Sequence, residues 1–236
     1  MTNKYRLLLF DLDDTLVDYQ ETEDEALKKT YEKYFRNYTE CNKFLDKFKQ
    51  INLNLWDKYR SNQLSLDDLR QNRFSEVITY FHANVSVSSV IKDYETSLYS
   101  LACLFSDVRE TLKYLKLKYQ ICLVTNGIAK IQKKKLSRLK IKSFFDYVVI
   151  SGKVGHKKPG VEFFEYVLNL TKVPHSEALM IGDSLEHDFI GARKARIDFC
   201  WVNRKNLIRL EEYPRPEYEI HNLSELKKLL SISHSL

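Results

Sequence analysis

No apolar run in this chain is long enough to cross a bilayer. The longest, such as Tyr5 to Phe10 and Ile121 to Val124, fall far short of the roughly 20 residues a spanning helix needs. The N-terminus lacks the basic start, apolar run and small-residue cleavage site of a signal peptide, so no membrane association is expected and the cytoplasm is the expected compartment. Cysteine is sparse: Cys41, Cys103, Cys122 and Cys200 form no CxxC pair, and Cys122 and Cys200 lie in strand-like apolar segments, so free thiols are expected. The six histidines show no paired zinc spacing. Neither a nucleic-acid motif nor the composition of a disordered chain is present.

What is present is the composition of a globular protein, with 44% hydrophobic and 30% charged residues. Its 236 residues suffice for one large domain, or for a domain plus an insertion. Lys and Arg outnumber Asp and Glu by 38 to 32, and the resulting charge of +6 suits an anionic substrate. The clearest basic run, Lys133-Lys134-Lys135 with Arg138 and Lys140, reads as one helix and its end. It is expected to be a solvated face rather than a groove for nucleic acid, and no nucleic-acid partner is expected.

Apolar runs at Tyr5 to Phe10, Gln120 to Thr125, Tyr147 to Ile150, Ala178 to Ile181 and Phe199 to Val202 read as strands buried on both faces. Helical stripes separate the later ones, which indicates an α/β fold with a mainly parallel sheet and right-handed crossovers. About a hundred residues lie between the first strand and the second, far more than one crossover needs. That interval carries helical periodicity: Leu27, Tyr31, Tyr34, Phe35 and Tyr38; then Phe44, Phe48, Ile51, Leu55 and Tyr59; then a helix opened by Ser65; then Val90 to Leu101. The expected organisation is a core of residues 1–17 and 105–236 with a helical cap of residues 18–104, hanging over the crevice beyond the strand ends.

The first strand ends in Asp11-Leu12-Asp13-Asp14-Thr15, and in an extended backbone Asp11 and Asp13 point to one side. Two like charges at 4 Å cost roughly 4 kcal/mol at an effective dielectric of about 20, so such a pair implies a cation, a shared proton or both. The second strand ends in Thr125-Asn126-Gly127, with a hydroxyl, an amide and a helix start suited to an anion. After the third, Pro159 and a helix start would hold Lys158. The fourth ends in Gly182-Asp183-Ser184-Leu185-Glu186-His187-Asp188, which offers further carboxylates, although Asp183 alone would read as a helix cap.

DLDDT, a helical insertion, TNG, the KP lysine and GDSLEHD, in that order and each at a strand end, resemble the haloacid dehalogenase-like hydrolase superfamily with an inserted α-helical cap. The resemblance implies a Rossmann-like core and a catalytic Mg²⁺. It implies that Asp11 is a nucleophile forming an aspartyl-phosphate and that Asp13 is the general acid and then base. Thr125 and Asn126 would bind phosphate, and Lys158 would hold nucleophile and phosphate together. Asp183 would bind Mg²⁺ with the Asp11 carboxylate and the Asp13 main-chain carbonyl, and Asp188 would stand in the outer shell. Asp14 receives no role.

Asn54-Leu55-Trp56-Asp57-Lys58-Tyr59, Asn72-Arg73-Phe74, GDSLEHD and Cys200-Trp201-Val202-Asn203 are similar to the pyrimidine-type 5′-nucleotidase branch, in which Trp56 could stack on a base and Arg73 meet a polar edge. The expected substrate is a small phosphorylated molecule, a nucleoside monophosphate foremost. The alternatives are a phosphatase for phosphoglycolate or a sugar phosphate, a phosphomutase, and, ranked low, a non-catalytic nucleotide-binding regulator. The sequence leaves the oligomeric state open.

Overall fold

A computed structural model describes residues 4–232. The elements run β1 (Leu7–Phe10), α1 (Tyr19–Tyr34), α2 (Cys41–Arg60), α3 (Leu66–Tyr80), α4 (Val87–Ser100), α5 (Val108–Lys116), β2 (Gln120–Thr125), α6 (Ala129–Arg138), β3 (Tyr147–Ile150) and α7 (Ser151–Val154). There follow α8 (Val161–Thr171), β4 (Ala178–Gly182), α9 (Ile190–Lys194), β5 (Asp198–Val202), β6 (Tyr218–Ile220) and α10 (Leu226–Ile232). Among the described residues no helix is long and apolar enough to cross a membrane.

The strands form one sheet in the order β3-β2-β1-β4-β5-β6, and every neighbouring pair is parallel. β1 is central because all four of its side chains are apolar and buried, which only a strand covered on both faces can satisfy. It runs in register with β2 on one side and β4 on the other, Leu8 pairing with Ile121 and Leu179. Leu9, Val124, Phe163, Phe164, Met180 and Phe199 belong to one apolar core cluster. The fold class is thus the α/β arrangement expected, with one strand unforeseen. β6 is three residues long with Glu219 exposed, too short for a period of two to be read. All four cysteines are free.

The chain separates into two compact units, Met1–Asp18 with Cys103–Leu236, and Tyr19–Ala102. The boundary differs from the expected one by one residue on leaving and two on returning. The reason is local pairing: Val17 bridges Leu104, and the Asp18 amide donates to the Cys103 carbonyl at 3.1 Å, so the departing and returning segments tie to each other.

In the helical unit α2 packs on α3 and α1 on α4. Ser65 and Ser86 cap α3 and α4, accepting from the amides of Asp68 and Ser89. The interior is aromatic: Phe48 lies with its ring centroid 5.1 Å from that of Phe74 and 5.6 Å from that of Tyr94, and Phe35 lies 4.6 Å from Phe44. Tyr38 departs from its expected stripe because α1 ends at Tyr34, and it is exposed. Phe48 is fully buried, so Phe48→Ala is expected to lower unfolding free energy by about 3–5 kcal/mol through lost transfer energy and a residual cavity. Denaturant unfolding monitored by far-UV circular dichroism measures this.

Candidate active site

In a parallel sheet all carboxyl ends lie along one edge, and a crevice there collects whatever the following loops carry. Asp11 follows β1, Thr125 closes β2 and Asp183 follows β4. The Asp11 amide extends the ladder by one step to the Ile181 carbonyl at 3.0 Å, which fixes the aspartate at the strand mouth. The chain then turns, with Asp14 at a φ of 61° and its amide donating to the Val17 carbonyl. Asp13 lies just before this turn, and its carboxylate takes different partners from that of Asp11.

Asp11 is paired with Lys158, whose ammonium lies 2.6 Å from Asp11 Oδ1, 2.6 Å from Asp188 Oδ1 and 3.1 Å from the Val124 carbonyl. All three donors of a fully buried ammonium are thereby used. Burial alone would lower the Lys158 pKa, but the two carboxylates outweigh it and hold it above its ordinary value. The Lys158 backbone is clamped in turn by Asn126, whose Nδ2 donates to the Lys158 carbonyl at 2.9 Å and whose Oδ1 accepts from the Lys158 amide at 3.0 Å. The Asn126 side chain, read from sequence as an anion-holding amide, thus positions the lysine.

Asp183 completes an acidic group: carboxylate oxygens of Asp11, Asp183 and Asp188 lie within 4.8 Å of one another. Burial pushes Asp11 up to about 7, Lys158 offsets this only in part, and Asp188 and Asp13 add to the rise. Burial, with Asp11 and Asp188 beside it, likewise pushes Asp183 well above the carboxylate range. Three carboxylates around one ammonium leave the cluster short of positive charge, and an all-oxygen donor set is what a hard divalent cation requires.

The loop after β4 is built to hold these groups. Thr15 Oγ1 donates to Asp183 Oδ1 at 3.3 Å, and Trp201 Nε1 to the Asp183 carbonyl at 2.8 Å. Ser184 rather than Asp183 caps the widened turn Leu185–Phe189, accepting from the His187 amide, which leaves the Asp183 carboxylate outside the capping role. The Ser184 amide donates to Asp188 Oδ2 at 3.3 Å.

Asp13 meets two residues that the sequence reading missed, both on α6. Lys135 Nζ lies 2.7 Å from Asp13 Oδ1, and Gln132 Nε2 donates to Asp13 Oδ2 at 2.8 Å and to Thr125 Oγ1 at 2.9 Å. The expectation of a uniformly solvated lysine run is therefore corrected: Lys133 and Lys134 are exposed, but Lys135 is 1% exposed. Helix geometry explains it, because Gln132 and Lys135 are three residues apart on the stripe that also buries Ile131 and Leu136. Two polar residues on an otherwise apolar face were the available signal.

Trp56 and Arg73 belong to the helical unit. Trp56 is half-buried on α2 with its ring 5.6 Å from Tyr59, and Arg73 on α3 is buried, its guanidinium 4.8 Å from the Tyr94 ring. Arg73 Nε and Nη2 have no hydrogen-bond partner.

A family profile described as "Haloacid dehalogenase-like hydrolase" matches residues 8–202. The chain belongs to that family. It is 30% identical to the HAD-hydrolase YfnB of Bacillus subtilis (strain 168), over 99% of this chain and 98% of that one. The crystal structure of YfnB bound to magnesium matches with a TM-score of 0.83, covering 97% of this chain and 100% of that chain. The chain is also 29% identical to the pyrimidine 5′-nucleotidase PynA of Streptococcus pneumoniae (94% of this chain, 93% of that one). With the human N-acylneuraminate-9-phosphatase it shares 27% identity (97% and 94%). This hydrolase therefore matches relatives along nearly their whole length.

A Cβ at Gly182 would overlap the Asp188 carboxylate, lying 2.6 Å from its Cγ, so this haloacid dehalogenase-like chain needs glycine there. Gly182→Ala is expected to force Asp188 away from Lys158 and to destabilise the fold by about 1–3 kcal/mol. Chemical denaturation of the variant against the parent measures the loss.

Proposed function

We propose that this hydrolase is a Mg²⁺-dependent phosphatase of nucleoside 5′-monophosphates acting through an aspartyl-phosphate on Asp11. The observation that carries the reading is the buried group of Asp11, Asp183 and Asp188 around the single ammonium of Lys158. Asp11 attacks phosphorus, the bond from phosphorus to the ester oxygen breaks, and Asp13 gives that departing oxygen its proton. Asp13 then takes a proton from a water that attacks the same phosphorus, which frees Asp11 and releases phosphate. Lys158 keeps Asp11 placed for attack and balances charge on the phosphoryl oxygens, aided by the Thr125 hydroxyl.

The residues present fit the metal. Asp11 and Asp183, with the Asp13 main-chain carbonyl, would hold Mg²⁺, with Asp188 behind them. When bound, the ion supplies positive charge to the phosphoryl oxygens. The magnesium-bound relative YfnB supports this assignment. Asp13 favours a phosphate ester over a halide, because a halide leaves without needing a proton.

For the leaving group, the similarity to PynA and the pyrimidine-nucleotidase-like cap segments support a nucleoside. In the helical unit Arg73 is buried with two donor nitrogens unpaired, which suits a polar base edge, and Trp56 suits a stacking partner.

Phosphate release from a panel of nucleotides, sugar phosphates and phosphoglycolate tests the reading. Pyrimidine monophosphates are expected to lead, EDTA to abolish turnover, and Asp11→Asn to lower it by about a thousandfold or more. Much faster turnover of sugar phosphates would replace the nucleotidase reading and leave the phosphatase reading in place. Independently of activity, Mg²⁺ is expected to raise the thermal midpoint of the parent by about 2–8 °C but not that of Asp183→Asn, as read by differential scanning fluorimetry.

A further inference from the structure

We propose that Gln132 and Lys135 are positioning residues that fix the Asp13 carboxylate for proton transfer. The inference rests on the reading of Asp13 as acid and base, and it adds the residues through which that role is exercised. A general acid must lie within hydrogen-bond reach of the oxygen it serves, and small displacements are expensive in rate. A bridge to Val17 fixes the Asp13 backbone but not its side chain, which lies beyond the end of β1 and is a quarter exposed.

Helix α6 supplies the restraint. Lys135 engages Oδ1 and Gln132 engages Oδ2, so both oxygens are held and the plane of the carboxylate is set as well as its position. The same Gln132 nitrogen lies 2.9 Å from Thr125 Oγ1 and 3.2 Å from the Asn126 carbonyl, which links Asp13 to the loop assigned to phosphate. Three acceptors around one nitrogen identify it as the amide NH₂, since an oxygen there would face a carboxylate. Gly127, at a φ of 135°, leaves the room: a Cβ on it would press to 3.3 Å from Gln132 Nε2.

The arrangement costs stability. Lys135 is an ammonium at 1% exposure, and Gln132 Oε1 is buried with no hydrogen-bond partner. Apolar side chains of similar volume would pack on this helix face without either penalty. A role confined to folding would therefore favour their replacement, whereas holding a carboxylate requires an ammonium and an amide.

The test is a double-mutant cycle against Asp13, with kcat and KM measured separately on the best substrate of the panel and at high enzyme concentration for the slow variants. Lys135→Met and Gln132→Met are each expected to lower kcat about ten- to a hundredfold while KM changes less than about threefold. Lys135→Arg is expected to restore most of the loss. In the Asp13→Asn background neither Met substitution should cost anything further, because the group they position is already gone. A rise in KM with kcat retained, or the same fold-loss on top of Asp13→Asn, would overturn the proposal and make these residues substrate contacts or independent contributors. Full activity of Asp13→Asn would instead remove the proton role of Asp13, and this proposal with it. Thermal melts establish which variants fold, and Gln132→Met, which removes no charge, carries the cycle if Lys135→Met does not.

Discussion

The buried ammonium of Lys158 is the point on which the rest of the core converges. An ammonium without water is tolerable only if its donors are met, and here two carboxylates and a carbonyl meet them. Each acceptor comes from a different strand or the segment after it: Asp11 after β1, Val124 from β2, and Asp188 after β4. The sheet order makes this possible, since β1 lies between β2 and β4 and puts their carboxyl ends side by side. Removing the ammonium would leave the buried carboxylates uncompensated, a loss of about 3–5 kcal/mol where such pairs have been broken. The surrounding details follow from protecting that contact. Asn126 clamps the Lys158 backbone, Gly182 gives Asp188 space, and Ser184 takes over the capping of the turn from Asp183.

Much of this was legible because it is written in local chemistry. Strands buried on both faces appear as uninterrupted apolar runs, so β2 and β3 could be bounded to the residue and β4 and β5 to within one. Carboxylates immediately after such runs lie at the sheet edge, and the order of the motifs, with the KP lysine on the segment before α8, made Asp11, Lys158 and Asp183 visible as a group. Partners supplied by a distant helix face were not legible. Lys135 sits in a run of three lysines whose composition says solvent, and only the helical register, which sets Gln132 and Lys135 beside Ile131 and Leu136, turns it inward. The contact of Trp201 with Asp183 was illegible for a related reason: its ring is core on β5, and only its indole nitrogen reaches the Asp183 carbonyl. Tertiary neighbours at large sequence separation leave no period to read.

The aspartates at positions 11 and 13 show how one short motif can hold two chemically distinct groups. Asp13 is near enough to make ionising Asp11 harder. Each has its own ammonium: Lys158 from the segment before α8 for Asp11, Lys135 from α6 for Asp13. Their surroundings differ as well. Asp11 is buried and pushed up to about 7, whereas the Asp13 side chain remains a quarter exposed. A carboxylate sealed beside a lysine suits attack on an electrophile, and one with access to solvent suits exchanging protons with a departing oxygen or a water.

Most buried polar groups find partners, and among the described residues Asn52 Oδ1, Thr111 Oγ1 and Gln120 Oε1 are among the atoms that do not find one. Gln132 Oε1 and the Arg73 nitrogens Nε and Nη2 are buried without one, the first on a helix face of the core unit and the second within the aromatic interior of the helical unit. An apolar residue at either position would relieve the desolvation cost. A fold under selection for stability alone has no reason to keep both. An unpaired buried atom does not by itself mark a site, since Thr111 and Gln120 carry one too; what sets Gln132 apart is that the other end of the same amide reaches Asp13 and Thr125, so its cost comes with a contact that an apolar residue could not make.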